Sequence, residues 1–86
     1  MLIRYFGAAK AAAGTEEETL LEGPMTLAEL GEKLAARYPS PPAGTPSLAT
    51  VIARSTFLVN ETAARNPDLL VAEEDTVDIL PPFAGG

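Results

Sequence analysis

The sequence contains no cysteine and no histidine. Without cysteine there is no thiol nucleophile, no thiolate metal ligand and no disulfide. Without histidine, both the commonest metal ligand and the side chain that titrates near neutrality are missing. Most self-contained active sites are thereby excluded, and any chemistry must come from carboxylates, hydroxyls, lysines or the chain terminus itself. Basic residues are scarce too: six Lys and Arg stand against twelve Asp and Glu, for a net charge of −6. Such a surface repels nucleic acid and anionic lipid and favours partners with basic surfaces. No apolar run approaches the ~18 residues of a membrane span. The apolar start is short and interrupted by Arg4, which argues against a signal peptide. The expected location is the cytoplasm, with neither nucleic acid nor membrane as partner.

What remains is a globular composition, 47% hydrophobic over 86 residues, with no low-complexity run. A chain of this size forms one domain that buries roughly 60% of its unfolded surface without staples. Its last six residues, Pro81-Pro82-Phe83-Ala84-Gly85-Gly86, break with that pattern. Consecutive prolines fix φ and supply no backbone donors, so a strand entering them stops pairing there. Two terminal glycines add no side chains, so the final carboxylate sits on a thread thin enough for a narrow channel in another protein. Val77, Ile79 and Leu80 form a strand that delivers the Pro-Pro stalk directly. Residues 1–80 are therefore expected to fold, and residues 81–86 to form a flexible tail that protrudes from them.

Along the body, Met1 to Gly7 reads as a first strand, with Ile3 and Tyr5 on one face and Leu2, Arg4 and Phe6 on the other. Ala8 to Ala13 suits a short helical turn, closed by Gly14 in the left-handed region, with Lys10 as a solvated charge. Thr15 to Glu22 is a second strand candidate, stopped by Gly23-Pro24. Glu16, Glu17 and Glu18 would point to alternating sides and read as a soluble edge, not a cation site. Thr26-Leu27-Ala28-Glu29 is a capping box that starts the main helix. Leu27, Leu30, Leu34 and Tyr38 fall on its core face, whereas Glu29, Lys33 and Arg37 lie four apart on another and can pair across turns. Pro39 ends the helix, and Pro39 to Ser47 is a stiff loop.

Leu48 to Ala53 suits a short turn of helix before the strand Thr56 to Asn60, and Asn60-Glu61 starts a turn. Asn66-Pro67-Asp68 is another turn, after which Leu69-Leu70-Val71 is expected to pack under the last hairpin. Glu73-Glu74-Asp75 lacks complementary ligands and reads as turn chemistry. Thr76 to Leu80 is the final strand, with Val77 and Ile79 inward and Asp78 and Leu80 outward. This order predicts an α+β domain of the β-grasp, ubiquitin-like architecture, with one main helix across a mixed sheet. First and last strands are then neighbours, and Phe6 and Leu80 sit together on the face away from the helix as an apolar spot for a partner.

Three stretches resemble a known family: Ile3 to Thr15 ending in Ala-Gly-Thr, Phe57-Leu58-Val59-Asn60 with its turn, and above all Asp75 to Gly86. The family is the small sulfur-carrier subunit of molybdopterin synthase, in the group that also holds the thiamine sulfur carrier. One departure is Glu73-Glu74-Asp75, where such carriers usually have Asp-Gly-Asp. The resemblance implies that an adenylating enzyme of the ubiquitin-activating class uses ATP to convert the Gly86 carboxylate to an acyl-adenylate. A sulfur donor enzyme then displaces AMP to leave a thiocarboxylate. The large catalytic subunit would accept the tail, Pro81 to Gly85 threading and Phe83 anchoring, while Phe6 and Leu80 contact the partners. It implies no bound cofactor, no metal and no stand-alone active site. Within sulfur carriage, thiamine or cysteine synthesis is the alternative pathway. Outside it, the alternative is a binding module or a modifier joined to lysine by an isopeptide bond.

Overall fold

A computed structural model describes residues 1–39 and 43–82. Residues 40–42 of the proline-rich loop and the tail residues Phe83, Ala84, Gly85 and Gly86 lie outside the described residues. The elements in chain order are β1 (Leu2–Tyr5), α1 (Gly7–Ala13), β2 (Glu17–Thr19), β3 (Met25–Thr26), α2 (Leu27–Arg37), α3 (Leu48–Arg54), β4 (Thr56–Val59), β5 (Thr62–Ala64), β6 (Leu70–Val71) and β7 (Thr76–Leu80). The main sheet has the order β2-β1-β7-β4-β5, with β1 and β7 parallel and the other neighbours antiparallel; β3 and β6 form a separate two-stranded ribbon. With α2 packed across a mixed sheet, this is the β-grasp fold anticipated from the element order.

The core lies between sheet and helices. Alternation along β1 buries Ile3 and Tyr5, and the same period along β7 buries Val77 and Ile79. Leu27, Leu30 and Leu34 of α2 and Leu48 and Val51 of α3 close over them. Burying such side chains contributes about 1.5–3 kcal/mol each. The capping box forms as read: Thr26 Oγ1 accepts from the Glu29 N–H at 3.1 Å, and Glu29 Oε1 accepts from the Thr26 N–H at 2.9 Å. Helix α2 stops at Arg37, and Tyr38 takes the C-cap position immediately before Pro39. Gly14 closes α1 at φ 75, and its N–H donates to the Lys10 carbonyl.

Some expectations change. The second strand is Glu17–Thr19, shorter than Thr15 to Glu22. Leu20 still pairs with Met1 through its main chain and is buried, but Leu21 is 91% exposed, because the chain peels away there to reach β3. Glu29, Lys33 and Arg37 do not pair along the helix. Glu29 is engaged in the capping box, whereas Lys33 reaches Glu22 at 2.6 Å and Arg37 reaches Glu18 at 2.7 Å, across to the chain beside the helix. Leu69 to Val71 does not pack wholesale under the last hairpin. Residues Leu70 and Val71 pair with β3, Val71 alone of the three is buried, and the Leu69 carbonyl receives the N–H of Leu27 at the start of α2.

The Asn60-Glu61 turn closes the β4–β5 hairpin with both residues in the left-handed region, φ 51 and 70, as a two-residue primed turn requires. Asn60 also ties this hairpin to the turn before β7. Its Nδ2 donates to Asp75 Oδ1 at 2.9 Å, and its Oδ1 accepts from the Thr76 N–H at 3.0 Å. Asp75 Oδ2 accepts from the Ala72 N–H at 2.8 Å. Glu73-Glu74-Asp75 is thus a turn whose working member is Asp75. The Asn60 bond, and then the Ala72 bond, hold its carboxyl below the usual carboxylate range.

A carboxyl whose folded pKa is depressed contributes stability that is present above its unfolded value, near 3.9, and is lost as pH falls through the folded value. Asp75→Ala is expected to cost about 1–2 kcal/mol in urea unfolding at neutral pH. The difference from the parent should shrink as the pH is lowered below about 4; a constant difference down to strong acid would assign the loss to packing instead.

Candidate functional site

The end of β7 brings together Phe6, Leu80, Pro81 and Pro82, those of the singled-out residues that fall among the described ones. Strand β7 is hydrogen-bonded on both edges, by β1 and by β4, with Tyr5 opposite Ile79 and Thr56 opposite Leu80. The Phe6 N–H donates to the Ile79 carbonyl at 3.3 Å, so Phe6 and Leu80 occupy the next position of the parallel pair. Phe6 retains extended backbone, φ −122 and ψ 153, and therefore continues the alternation of β1 onto the outer face. It is 41% exposed, and Leu80 is partly exposed.

The chain turns sharply after Phe6. Gly7 has φ +50 and opens α1, and a Cβ placed on it would lie 4.0 Å from Cγ of Pro81. Strand β7 thus runs into Pro81, half-buried against the β1–α1 corner, and then into exposed Pro82. Pro81 thus lies next to this corner. Gly7 was not picked out from the sequence as part of it, although a glycine between a strand and an alanine-rich helix was the available signal.

The outer face beside that root is not purely apolar. Asp78 points to the outer side as its alternation dictates, yet it is only 5% exposed. It is covered by its cross-strand partner: Arg4 Nε donates to Asp78 Oδ1 at 2.6 Å and Arg4 Nη2 donates to Oδ2 at 2.8 Å. Bidentate pairing of this kind fixes the guanidinium plane. The Arg4 guanidinium also sits 6.0 Å from the centroid of the Phe6 ring, two residues along the same face. Hydrogen bonding to Asp78, followed by its charge, raises the Arg4 pKa further above its ordinary value, so the cation is permanent.

On the inner side, Glu18 gathers three donors. Tyr5 Oη donates to its Oε1 at 2.5 Å, Tyr38 Oη to the same oxygen at 2.9 Å, and Arg37 Nη2 to Oε2 at 2.7 Å. The tyrosine rings meet edge to face with centroids 6.0 Å apart. Burial above all, then the bond to Glu18, pushes both phenols up. They stay protonated at neutral pH and serve as donors, not as bases. Glu16 turns away to Lys10 at 2.9 Å, and Glu17 pairs opposite Arg4 on the outer side, so the three glutamates diverge as expected.

A cleft of about 740 Å³ opens between α2, α3 and the β4–β5 hairpin, lined by Gly31, Ile52, Phe57 and Arg65 among others. Ser55 on its wall donates its hydroxyl to the Val51 carbonyl at 2.8 Å. Among the described residues no three Asp or Glu side chains come together as a metal site, and no helix is long and apolar enough to cross a membrane. What the end of β7 assembles is the partly exposed pair Phe6 and Leu80, beside the Arg4–Asp78 ion pair and the start of the Pro81-Pro82 segment.

Comparison with known proteins gives the same outline. The model of the ThiS family matches residues 3–86. A comparison with curated proteins gave no match. Among solved structures, SAMP1 from Haloferax volcanii superposes with a TM-score of 0.71 at 19% identity, over 99% of this chain and 97% of that one. A Pyrococcus furiosus protein thought to be molybdopterin converting factor subunit 1 gives 0.68 at 20% identity, over 95% of each chain. A chain from the complex of subunits 1 and 2 of the Helicobacter pylori molybdopterin-converting factor gives 0.62 at 20% identity, over 99% of this chain and 96% of that one. At these identities the likeness is one of fold.

The Gly7 corner makes its own prediction. A side chain at positive φ costs about 1–2 kcal/mol, and a Cβ 4.0 Å from Pro81 Cγ would itself make only an ordinary van der Waals contact. Gly7→Ala is expected to lower stability by that amount in urea unfolding. Unchanged stability would show that the corner relaxes freely to a conformation that suits a side chain.

Proposed function

The chain belongs to the ThiS family, and from that membership we propose that it is a cytoplasmic sulfur carrier for molybdenum cofactor biosynthesis, bearing sulfur as a thiocarboxylate on Gly86. The observation that carries this is the junction at Leu80. A strand anchored on both edges runs without a linker into Pro81-Pro82, beside the exposed Phe6. Such a junction presents the tail from a fixed point on the body, next to an apolar surface that a partner can grip.

The proposed cycle uses the terminus for all covalent chemistry. The Gly86 carboxylate attacks the α-phosphorus of ATP on an adenylating enzyme, pyrophosphate leaves, and an acyl-adenylate remains. Sulfide equivalent from a sulfur donor enzyme attacks the acyl carbon and expels AMP, giving the thiocarboxylate. The large subunit of molybdopterin synthase takes the tail and passes the sulfur to the molybdopterin precursor, cyclic pyranopterin monophosphate. Pro81, Pro82, Phe83, Ala84 and Gly85 are the threading segment in this scheme, and Gly85 and Gly86 leave the acyl carbon unobstructed. The partner-bound structure of the Helicobacter pylori subunits 1 and 2, with a chain of this fold, supports a large-subunit partner.

A protein-modifier role is the alternative, favoured by the likeness to a Haloferax volcanii protein described as small archaeal modifier protein 1, with a TM-score of 0.68 at 17% identity. There the activated Gly86 would acylate a lysine. Service in thiamine or cysteine synthesis uses the same charged terminus with a different acceptor.

Intact-mass measurement after incubation with an adenylating enzyme of this class, ATP and sulfide is expected to show one terminal oxygen replaced by sulfur. Deletion of Gly86 should abolish the change, and Gly86→Ala should slow charging and product formation severely. Normal charging and turnover of Gly86→Ala would refute the threading role. Lysine-linked conjugates in cell extracts without a charged carrier would favour the modifier alternative. Leu80→Asp is expected to weaken binding to both the adenylating enzyme and the large subunit while leaving the fold intact by circular dichroism; normal binding to both would remove Leu80 from the interface.

A further inference from the structure

The outer sheet face carries an ion pair where a docking patch is ordinarily depleted of charge. Arg4 and Asp78 sit opposite each other at the centre of that face, with Leu58 on β4 flanking Asp78 from the other edge. Asp78 is spent: its two oxygens accept from Arg4, and its side chain is 7% exposed. Arg4 is not spent. Its guanidinium carries further N–H donors on Nη1 and Nη2, on the side away from Asp78, and the side chain is 37% exposed. Among the described residues, its bonds are those to Asp78. Phe6 lies beside the same cation, 6.0 Å from its centre.

Any partner that covers Phe6 and Leu80 also covers Arg4, and a purely hydrocarbon surface would strand the free donors away from water, which is costly for a charged group. The partner must bring an acceptor. Its charge is constrained by the neighbourhood: Glu17 stands opposite Arg4 on β2, and Glu61 is near enough to act on Arg4 electrostatically. With Asp78, Glu17 and Glu61 the local charge about the one guanidinium is net negative, so an incoming carboxylate would be repelled, whereas a carbonyl carries no net charge to be repelled.

We propose that Arg4, held by Asp78, is the selectivity element of the docking face. It accepts a partner whose apolar patch presents a neutral carbonyl oxygen, main-chain or amide, to the free edge of the guanidinium, with basic residues at the rim facing Glu17 and Glu61. Arg4 is on this account a binding residue, and Asp78 a positioning residue that fixes its plane. This rests on the docking role of the face proposed above.

The test uses the full-length chain, with subunit 2 of molybdopterin synthase from the same organism as the probe. Arg4→Leu/Asp78→Val replaces the pair by apolar residues of roughly similar volume, a change that is often neutral or stabilising for a buried ion pair. The expected result is a Kd weakened by roughly tenfold, the worth of one stranded acceptor, with urea stability undiminished. Glu17→Gln/Glu61→Gln should flatten the salt dependence of binding, a readout that a merely structural ion pair would not move. If the apolar double variant binds as tightly as the parent or tighter, the face is a plain apolar patch and the inference is overturned while the docking role stands. If stability falls and binding holds, the pair is structural and the inference is likewise overturned. If the parent itself does not bind that subunit, the proposed function falls, and this inference with it.

Discussion

Strand β7 is the constraint on which the rest of the structure depends. It is hydrogen-bonded on both edges, to β1 in parallel and to β4 antiparallel. Its alternating residues serve two layers at once: Val77 and Ile79 are fully buried beneath the helices, while Asp78 anchors Arg4 on the opposite face. A strand paired on both sides cannot fray from its end, because each edge would have to release its ladder together. Pro81 and Pro82 then end the pairing by withholding donors. The parallel register with β1 also places Phe6 beside Leu80, at the point where the pairing stops.

Around this strand the acidic surplus is put to specific use. Glu18 ties β2 to the C-terminal end of α2 through Tyr5, Tyr38 and Arg37. Asp75 and Asn60 tie the β4–β5 hairpin to the approach of β7. Glu22 and Glu16 each hold one of the two lysines of the chain. Exposed pairs of this type contribute little stability individually, but the ties with buried or backbone partners fix the edges of a small sheet. Of the remaining carboxylates, Glu17 stands opposite Arg4 and Glu61 is near enough to act on it electrostatically.

Much of the local backbone chemistry was legible in the sequence. The capping box at Thr26 and Glu29, the stop before Pro39, the glycine closure at Gly14 and a turn starting at Asn60-Glu61 each depend on a few adjacent residues, whereas the positive φ of Gly7 was not read. Apolar alternation likewise gave the inward sets of β1 and β7. Pairing choices over longer range were less legible. Lys33 has Glu29 one helical turn away, but Glu29 is engaged in the capping box and the structure supplies Glu22; Arg37 has only Lys33 and Leu34 a turn back, and its acceptor, Glu18, lies across the chain where no local pattern points to it. The β3–β6 ribbon was missed for a similar reason: two-residue strands carry too little pattern to be told from loop.

The sequence by itself determined that this protein has no thiol or imidazole chemistry, that it is acidic, and that its final strand ends in a proline stalk with a glycine terminus. Those are matters of residue type and order, which no fold can alter. It took the folded chain to show that Asp78 is buried against Arg4 and that Phe6 lies beside the end of β7. Both depend on β1 and β7 being parallel neighbours in one register, a contact between the two ends of the chain. Opposite charges at Arg4 and Asp78 hinted at it, but a hydrogen-bond ladder was needed to set them face to face.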